Sequence, residues 1–218
     1  MSETFRPTWA EVDLEAIRHN VRALKPPGAE LMAVVKADGY GHGDVRVARA
    51  ALEAGATWLG VALVEEGIRL REAGIHAPIL VLSEPPPGAS AAAIEAGLTA
   101  TVYSEEAAAA LGAARRAGDG PPRVHLKVDT GMHRVGVAPE RAVELAARIT
   151  ELDLDLEGVW THFARSEEID DPTTDDQLKR FREVLDALHA AGITPRYRHA
   201  ANSAAAMARP ETHLDVVR

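Results

Sequence analysis

Short apolar runs recur along this chain, each followed by a stretch of alanine-rich sequence with helical spacing. The runs are LMAVV (31–35), WLGVA (58–62), PILVL (78–82), TATVY (99–103), RVHLKV (123–128), LEGVW (156–160), PRYRH (195–199) and LDVVR (214–218). Their shortness and their β-branched and aromatic content predict strands. The spacing between them predicts helices near 44–54, 64–73, 88–96, 104–117, 139–149 and 175–191, with one or two turns at NSAAAM (202–207). An earlier helical pattern runs from Leu14 to Leu24. Ser104 reads as a helix N-cap followed by two acids, and Thr174 or Asp175 as a cap for the helix near DQLKRF. Gly55, Gly74, Gly97, Gly118 and Gly192 each follow a helical stretch, where a C-terminal cap needs positive φ.

Eight strands alternating with helices predict an α/β fold of the (β/α)8 TIM-barrel type. An open doubly wound sheet would carry a G-x-G-x-x-G turn after its first strand, and LMAVV is followed by KADGYGHG instead. No boundary divides residues 1–218 into two domains. The chain stops on THLDVVR, an apolar run ending at Arg218. A buried strand that stops there would leave its neighbours short of packing, so a longer polypeptide is expected, with the barrel's C-terminal end incomplete.

Composition narrows the functions. Of the 218 residues, 46% are apolar and 26% charged, which suits one sizeable globular core. The net charge of -9, with both signs interspersed, argues against a nucleic acid or an anionic membrane as partner, while leaving room for a local basic site. The absence of cysteine removes disulfides, thiolate metal sites and cysteine nucleophiles. The histidines show no compact metal-ligand spacing, so no metal is expected. The N-terminus lacks the apolar core of a signal peptide, and the expected location is the cytoplasm.

A barrel places chemistry at the C-terminal ends of its strands. Lys36 follows the first strand, Lys127 lies near the end of the fifth, His162 just beyond the sixth, His199 at the end of the seventh and Arg218 at the end of the eighth. A lysine at the end of an apolar run is either a nucleophilic amine able to form a Schiff base, or one that reaches solvent or pairs with Asp38. The DGYGHG that follows favours the first reading, since Gly39, Gly41 and Gly43 allow close backbone approach, with Tyr40 and His42 supplying polar contacts. The remaining residues have plain alternatives. His162 could be a satisfied strand-end histidine, Ser203 a helix cap, Asn202 a turn residue, His42 a loop support and Lys127 a partner of Asp129 or of another carboxylate. His125, Asp129 and His133 show no role beyond strand and loop support.

The block VVKADGYGHG resembles the cofactor-lysine motif of alanine racemases. The resemblance continues at KVDTGMHRVG (127–136), THFARSEE (161–168), RHAANSAA (198–205) and LDVVR (214–218), and reaches back to RPTWAEVDLEAIRHNV, so that it covers essentially the whole chain in order. It implies an amino-acid racemase that binds pyridoxal 5'-phosphate and interconverts L- and D-alanine with two bases. Lys36 would carry the cofactor as a Schiff base and act as one base. Tyr40 and Ser203, beside Asn202, would contact its phosphate. His162 would pack on its ring, and Arg218 would donate to its ring nitrogen with His199 orienting Arg218 from behind. Arg134 would place the substrate carboxylate, and Lys127 matches a lysine that is carbamylated in some members. Arginine is a poor proton donor, so its place at the ring nitrogen should narrow the reaction.

In that family a mostly β domain follows the barrel and supplies an opposing catalytic tyrosine across a homodimer interface. None of Tyr40, Tyr103 or Tyr197 matches that tyrosine, so residues 1–218 alone should racemise poorly. The alternatives are a single-domain pyridoxal-phosphate-binding protein with a homeostatic role, a silent barrel kept for protein interactions, and a racemase of serine or of broader range.

Overall fold

The computed structural model describes residues 8–116, 118 and 120–218. It is a closed barrel of eight parallel strands in sequence order: β1 (Glu30–Val34), β2 (Trp58–Val61), β3 (Ile79–Val81), β4 (Thr99–Val102), β5 (Arg123–Lys127), β6 (Asp155–Trp160), β7 (Tyr197–His199) and β8 (Val216–Val217). Closure is made by Glu30 and Leu31 of β1 in register with Val216 and Val217 of β8. Every strand lies within one residue of an expected apolar run. The helices are α1 (Leu14–Leu24), α2 (Asp44–Glu53), α3 (Val64–Glu72), α4 (Ser90–Glu95), α5 (Glu105–Ala114), α6 (Ala142–Glu151), α7 (Thr173–Ala190) and α8 (Ser203–Ala208). The helix expected over 104–117 ends at Ala114, and Ala117 lies outside the described residues. So do residues 1–7, which include the first two residues of the RPTWAEVDL block.

Alternation along the strands sorts two kinds of core. On β5, Val124 and Leu126 join Ile149, Phe181 and Leu188 in the layer between barrel and helices. Leu59, Val61, Ile79 and Val81 do the same against Leu70 and Leu98 on the other side. Phe181 is fully buried, and truncating it to alanine should cost about 3–5 kcal/mol. The opposite parity fills the barrel itself, where Met32, Trp58, Leu80, Tyr197 and Val216 form a separate cluster. Buried polar residues share that interior: His125, His199 and Thr99 are all fully inaccessible.

Local chemistry explains most element ends. Ser104 caps α5 by accepting from the Ala107 N–H at 3.2 Å. The five glycines expected to close helices all take positive φ, between 60° and 110°. The cap expected for α7 is different. That helix starts at Thr173, so Thr174 and Asp175 lie inside its first turn. The Thr173 N–H is met instead by Asp171 at 2.8 Å, and Asp175 is drawn into an ion pair with the buried Arg209. No helix among the described residues is long and apolar enough to cross a membrane.

Candidate active site

Lys36 stands one residue beyond Val35 at the top of β1, half-buried, on the parity of Met32 and Val34. The chain does not run on as an ordinary loop. Ala37, Asp38, Gly39 and Tyr40 take φ of 51° to 60° and coil as one left-handed turn. An L-residue pays roughly 1–2 kcal/mol for that conformation, so the turn needs external hold. Glu66 of α3 supplies it. One carboxylate oxygen accepts from the Ala37 N–H at 2.7 Å, and the other accepts from the Ala62 and Leu63 N–H groups at 2.7 and 3.2 Å. Asp38 accepts from the Asp44 N–H at 3.1 Å, and His42 Nδ1 lies 2.9 Å from the Gly39 carbonyl. His42 and Asp38 thus support the loop. A Cβ at Gly39 would sit 3.2 Å from the Asp44 nitrogen, which is why the turn centres on glycine.

Lys36 and Tyr40 line a cavity of about 660 Å³ at the C-terminal mouth of the barrel. Lys127, Arg134, His162, Asn202, Ser203 and Arg218 line the same cavity. All the sequence-expected site residues except His199 therefore meet in one place. Its walls are apolar, with Met32, Leu82 and Val217 among them. The size and the mixture of apolar wall and few polar groups suit a small ligand.

Each polar group is set by its strand. Arg218 donates from Nη1 to His199 Nδ1 at 2.7 Å, and from Nη2 to the Thr161 carbonyl at 3.0 Å, the Ala200 carbonyl at 3.3 Å and His162 Nδ1 at 3.3 Å. Its Nε–H and one Nη1–H have no acceptor among the described residues. Burial pulls Arg218 down to about 9, which leaves it cationic at neutral pH. His162 is pushed down to about 3 by burial and then by Arg218, Arg134, Lys127 and Lys36, so its ring is neutral. Lys127 falls to about 8, first by burial and then by the charges of Arg134 and Arg218. Among the described residues Lys127 and Asp129 form no ion pair, although the charge of Asp129 partly offsets the lowering. Asp129 Oδ1 instead accepts from the N–H groups of Gly131, Met132 and His133, each at 3.0 Å, and shapes the loop that carries the exposed Arg134.

Asn202 serves the turn as well as facing the cavity: its side chain caps α8 by accepting from the Ala205 N–H at 3.1 Å, and accepts from the Ser166 hydroxyl at 2.7 Å. Ser203 does not cap the helix. Its exposed hydroxyl donates over a long 3.4 Å to the Arg218 carbonyl. His199 is buried behind Arg218, stacked at 5° to the Trp160 ring.

Sequence reading missed Trp160. It lines the cavity, and Lys127 Nζ and the Arg218 guanidinium lie 4.3 and 4.7 Å from its ring centroid. Its signal was parity, since it stands two residues before His162 on the same side of the strand. Glu66 was missed too, because a glutamate in the first turn of a helix looks like any dipole-complementing acid. Among the described residues no group of three or more histidines and acids could hold a metal ion.

Lys36, Lys127, Arg134 and Arg218 make the mouth strongly cationic, although the whole chain is acidic. A closed (β/α)8 barrel with an amine just beyond β1, cations around it and an apolar wall behind has a mouth suited to a small anionic ligand. The chain belongs to the family described as alanine racemase, N-terminal domain, whose model matches residues 12–218. An alanine racemase of Symbiobacterium thermophilum is 52% identical over 216 residues, 98% of this chain and 57% of that protein. One of Desulfovibrio desulfuricans is 46% identical over 98% of this chain and 58% of that protein. A solved alanine racemase from Bacillus anthracis with bound L-Ala-P superposes with a TM-score of 0.92 at 39% identity, over 100% of this chain and 57% of that one. One from a D-cycloserine-producing Streptomyces lavendulae gives a TM-score of 0.88 at 43% identity, over 95% and 56%. The chain thus spans less than two thirds of the length of these relatives.

Proposed function

We propose that this barrel is the cofactor-bearing part of a pyridoxal-phosphate-dependent alanine racemase. The observation that carries the reading is the meeting of Lys36, Tyr40, His162, Ser203, Arg218 and Arg134 around one cationic cavity, in a chain of the alanine racemase N-terminal family. The cavity's chemistry fits pyridoxal 5'-phosphate. Its cations suit a phosphate, its apolar wall suits an aromatic ring, and the unassigned N–H groups of Arg218 suit an aromatic nitrogen acceptor.

When bound, the cofactor supplies an electron sink that makes the α-proton of an attached amino acid acidic. The chain's own groups would do the rest. Lys36 would hold the cofactor through its Nζ, and that amine, freed when the substrate's own amine takes its place, would take or return the α-proton on one face. Tyr40 and Ser203 would donate to phosphate oxygens. Neutral His162 would pack against the ring without adding charge. Arg218, held by His199 and two carbonyls, would offer a proton it does not release. Arg134 binds the substrate carboxylate at the lip, with Lys127 behind it. The second base, on the other face, comes from outside these residues in this reading, and a homodimer working in the cytoplasm is the expected assembly.

Full-length protein incubated with pyridoxal phosphate and L-alanine should form D-alanine, and Lys36→Ala should abolish it. L-Serine in parallel tests breadth of substrate. Cofactor binding without racemisation of either amino acid would replace the reading by the homeostatic one.

A further inference from the structure

The polar chain behind Arg218 does not stop at His199. His199 Nε2 lies 2.9 Å from Nδ1 of His125, one layer deeper in the barrel. His125 Nε2 faces the Glu157 carboxylate at 3.5 Å, an ion-pair distance that falls short of a hydrogen bond, and it has no hydrogen-bond partner among the described residues. Thr99 donates to the same carboxylate oxygen at 3.4 Å. Both histidines are fully inaccessible, and Glu157 is 9% exposed. The chain therefore runs from the mouth of the barrel to its floor.

The sequence builds this arrangement. β5 alternates Arg123, His125 and Lys127 on one parity, so one strand contributes a residue to the floor, the middle and the mouth. Pairing of β5 with β6 slips by one residue at Glu157: Val124 faces Leu156, but His125 faces Gly158. That irregularity places Glu157 against the interior. A Cβ on Gly158 would come within 2.7 Å of the His125 ring, so the glycine makes the space the imidazole fills. Trp58 and Tyr197 flank His125, and Trp160 stacks on His199. Neither ring has room to drift.

Chemistry fixes the direction of the protons. Arginine only donates, so His199 Nδ1 must accept and its proton sits on Nε2. His125 Nδ1 then accepts, and its proton sits on Nε2, facing a carboxylate that only accepts. The two ends demand the same order. We propose that His125 and Glu157 are positioning residues for Arg218, with Glu157 as the buried counter-charge that holds a one-directional chain Arg218–His199–His125–Glu157 through the barrel. Burial keeps both histidines neutral, which this order requires. For Glu157, burial favours protonation, but His125, Arg123 and Arg196 outweigh it and hold the carboxylate ionised. Arg218's place at the cofactor rests on the racemase reading. The chain itself does not.

Nitrogen-15 NMR of the full-length protein, with and without pyridoxal phosphate, tests the proposal. His125 and His199 should both carry the proton on Nε2 and none on Nδ1. Glu157→Leu should move the nitrogen resonances of His199, two links away, and Glu157→Gln, which keeps an acceptor oxygen, should move them less but measurably. With cofactor bound, Glu157→Leu should lower kcat roughly tenfold with KM little changed, the pattern of a lost transition-state interaction. A proton on His199 Nδ1 overturns the proposal, and so do His199 resonances unmoved in Glu157→Gln. The wild-type tautomers and Glu157→Gln decide the matter even if Glu157→Leu does not fold. The cofactor-free spectra separate failure of the chain from failure of the racemase reading.

Discussion

Lys127 Nζ lies 4.3 Å from the centroid of the Trp160 ring, well inside cation–π range. The Arg218 guanidinium shares that ring at 4.7 Å. The aromatic face thus steadies two cations, in a mouth where Arg134 and Lys36 add two more. Such a mouth is poorly matched to an uncompensated ammonium, and well matched to anions.

The pH dependence of Lys127 follows. Its pKa of about 8, against 10.5 for an ordinary lysine, means that the free amine predominates above pH 8 and the ammonium below it. Only the free amine attacks carbon dioxide: Nζ bonds to carbon, one proton leaves to water and a carbamate anion remains beside Arg134. In the full-length protein at fixed dissolved 13C-labelled carbon dioxide, the carbamate resonance should grow as pH rises through about 8. It should be missing in Lys127→Met. A signal that shrinks over that window, or survives in the variant, would refute the assignment.

His162 should not titrate in the physiological range. At about 3 its pKa is far below the usual 6.5, so its ring stays neutral from roughly pH 5 to 8. Its C2-proton resonance should be flat there. Arg218→Leu removes the largest charge holding the value down, and should bring the midpoint upward.

The left-handed turn after Lys36 makes an inverted stability prediction. Ala37 has φ of 51°, so Ala37→Gly relieves about 1 kcal/mol of strain and should be neutral or slightly stabilising. The same change at buried Ala48 in α2 should cost about 1 kcal/mol or more. Glu66→Ala orphans the Ala37, Ala62 and Leu63 N–H groups and should cost about 2–4 kcal/mol. Urea unfolding curves check all three. A clear loss of stability in Ala37→Gly would show that the turn is not strained.

How far the sequence foretold this molecule depended on the range of the interaction. Strands such as WLGVA and TATVY announce themselves by local composition, and their number, their alternation with helices and the absence of a G-x-G-x-x-G turn predicted the barrel. Lys36, His162 and Arg218 were legible because each terminates a strand, where a barrel collects its chemistry. The hand of the turn at Ala37–Tyr40 was not legible: glycines signalled freedom, but the clamp is a glutamate 29 residues away. Thr174 and Asp175 misled as caps because Pro172 lets the helix start earlier and Arg209, distant in sequence, claims Asp175. The His125–Glu157 contact was hidden for a similar reason. It depends on a slip between two strands and on the side chain Gly158 lacks, neither of which has a local signature.

The role of Lys36 can be read directly. Full-length protein loaded with pyridoxal phosphate would be reduced with borohydride, digested and analysed by mass spectrometry. One pyridoxyl adduct is expected, on the peptide that contains Lys36, with none in Lys36→Ala. An adduct on Lys127 or any other lysine, or an unlabelled Lys36 peptide from cofactor-saturated protein, would contradict it.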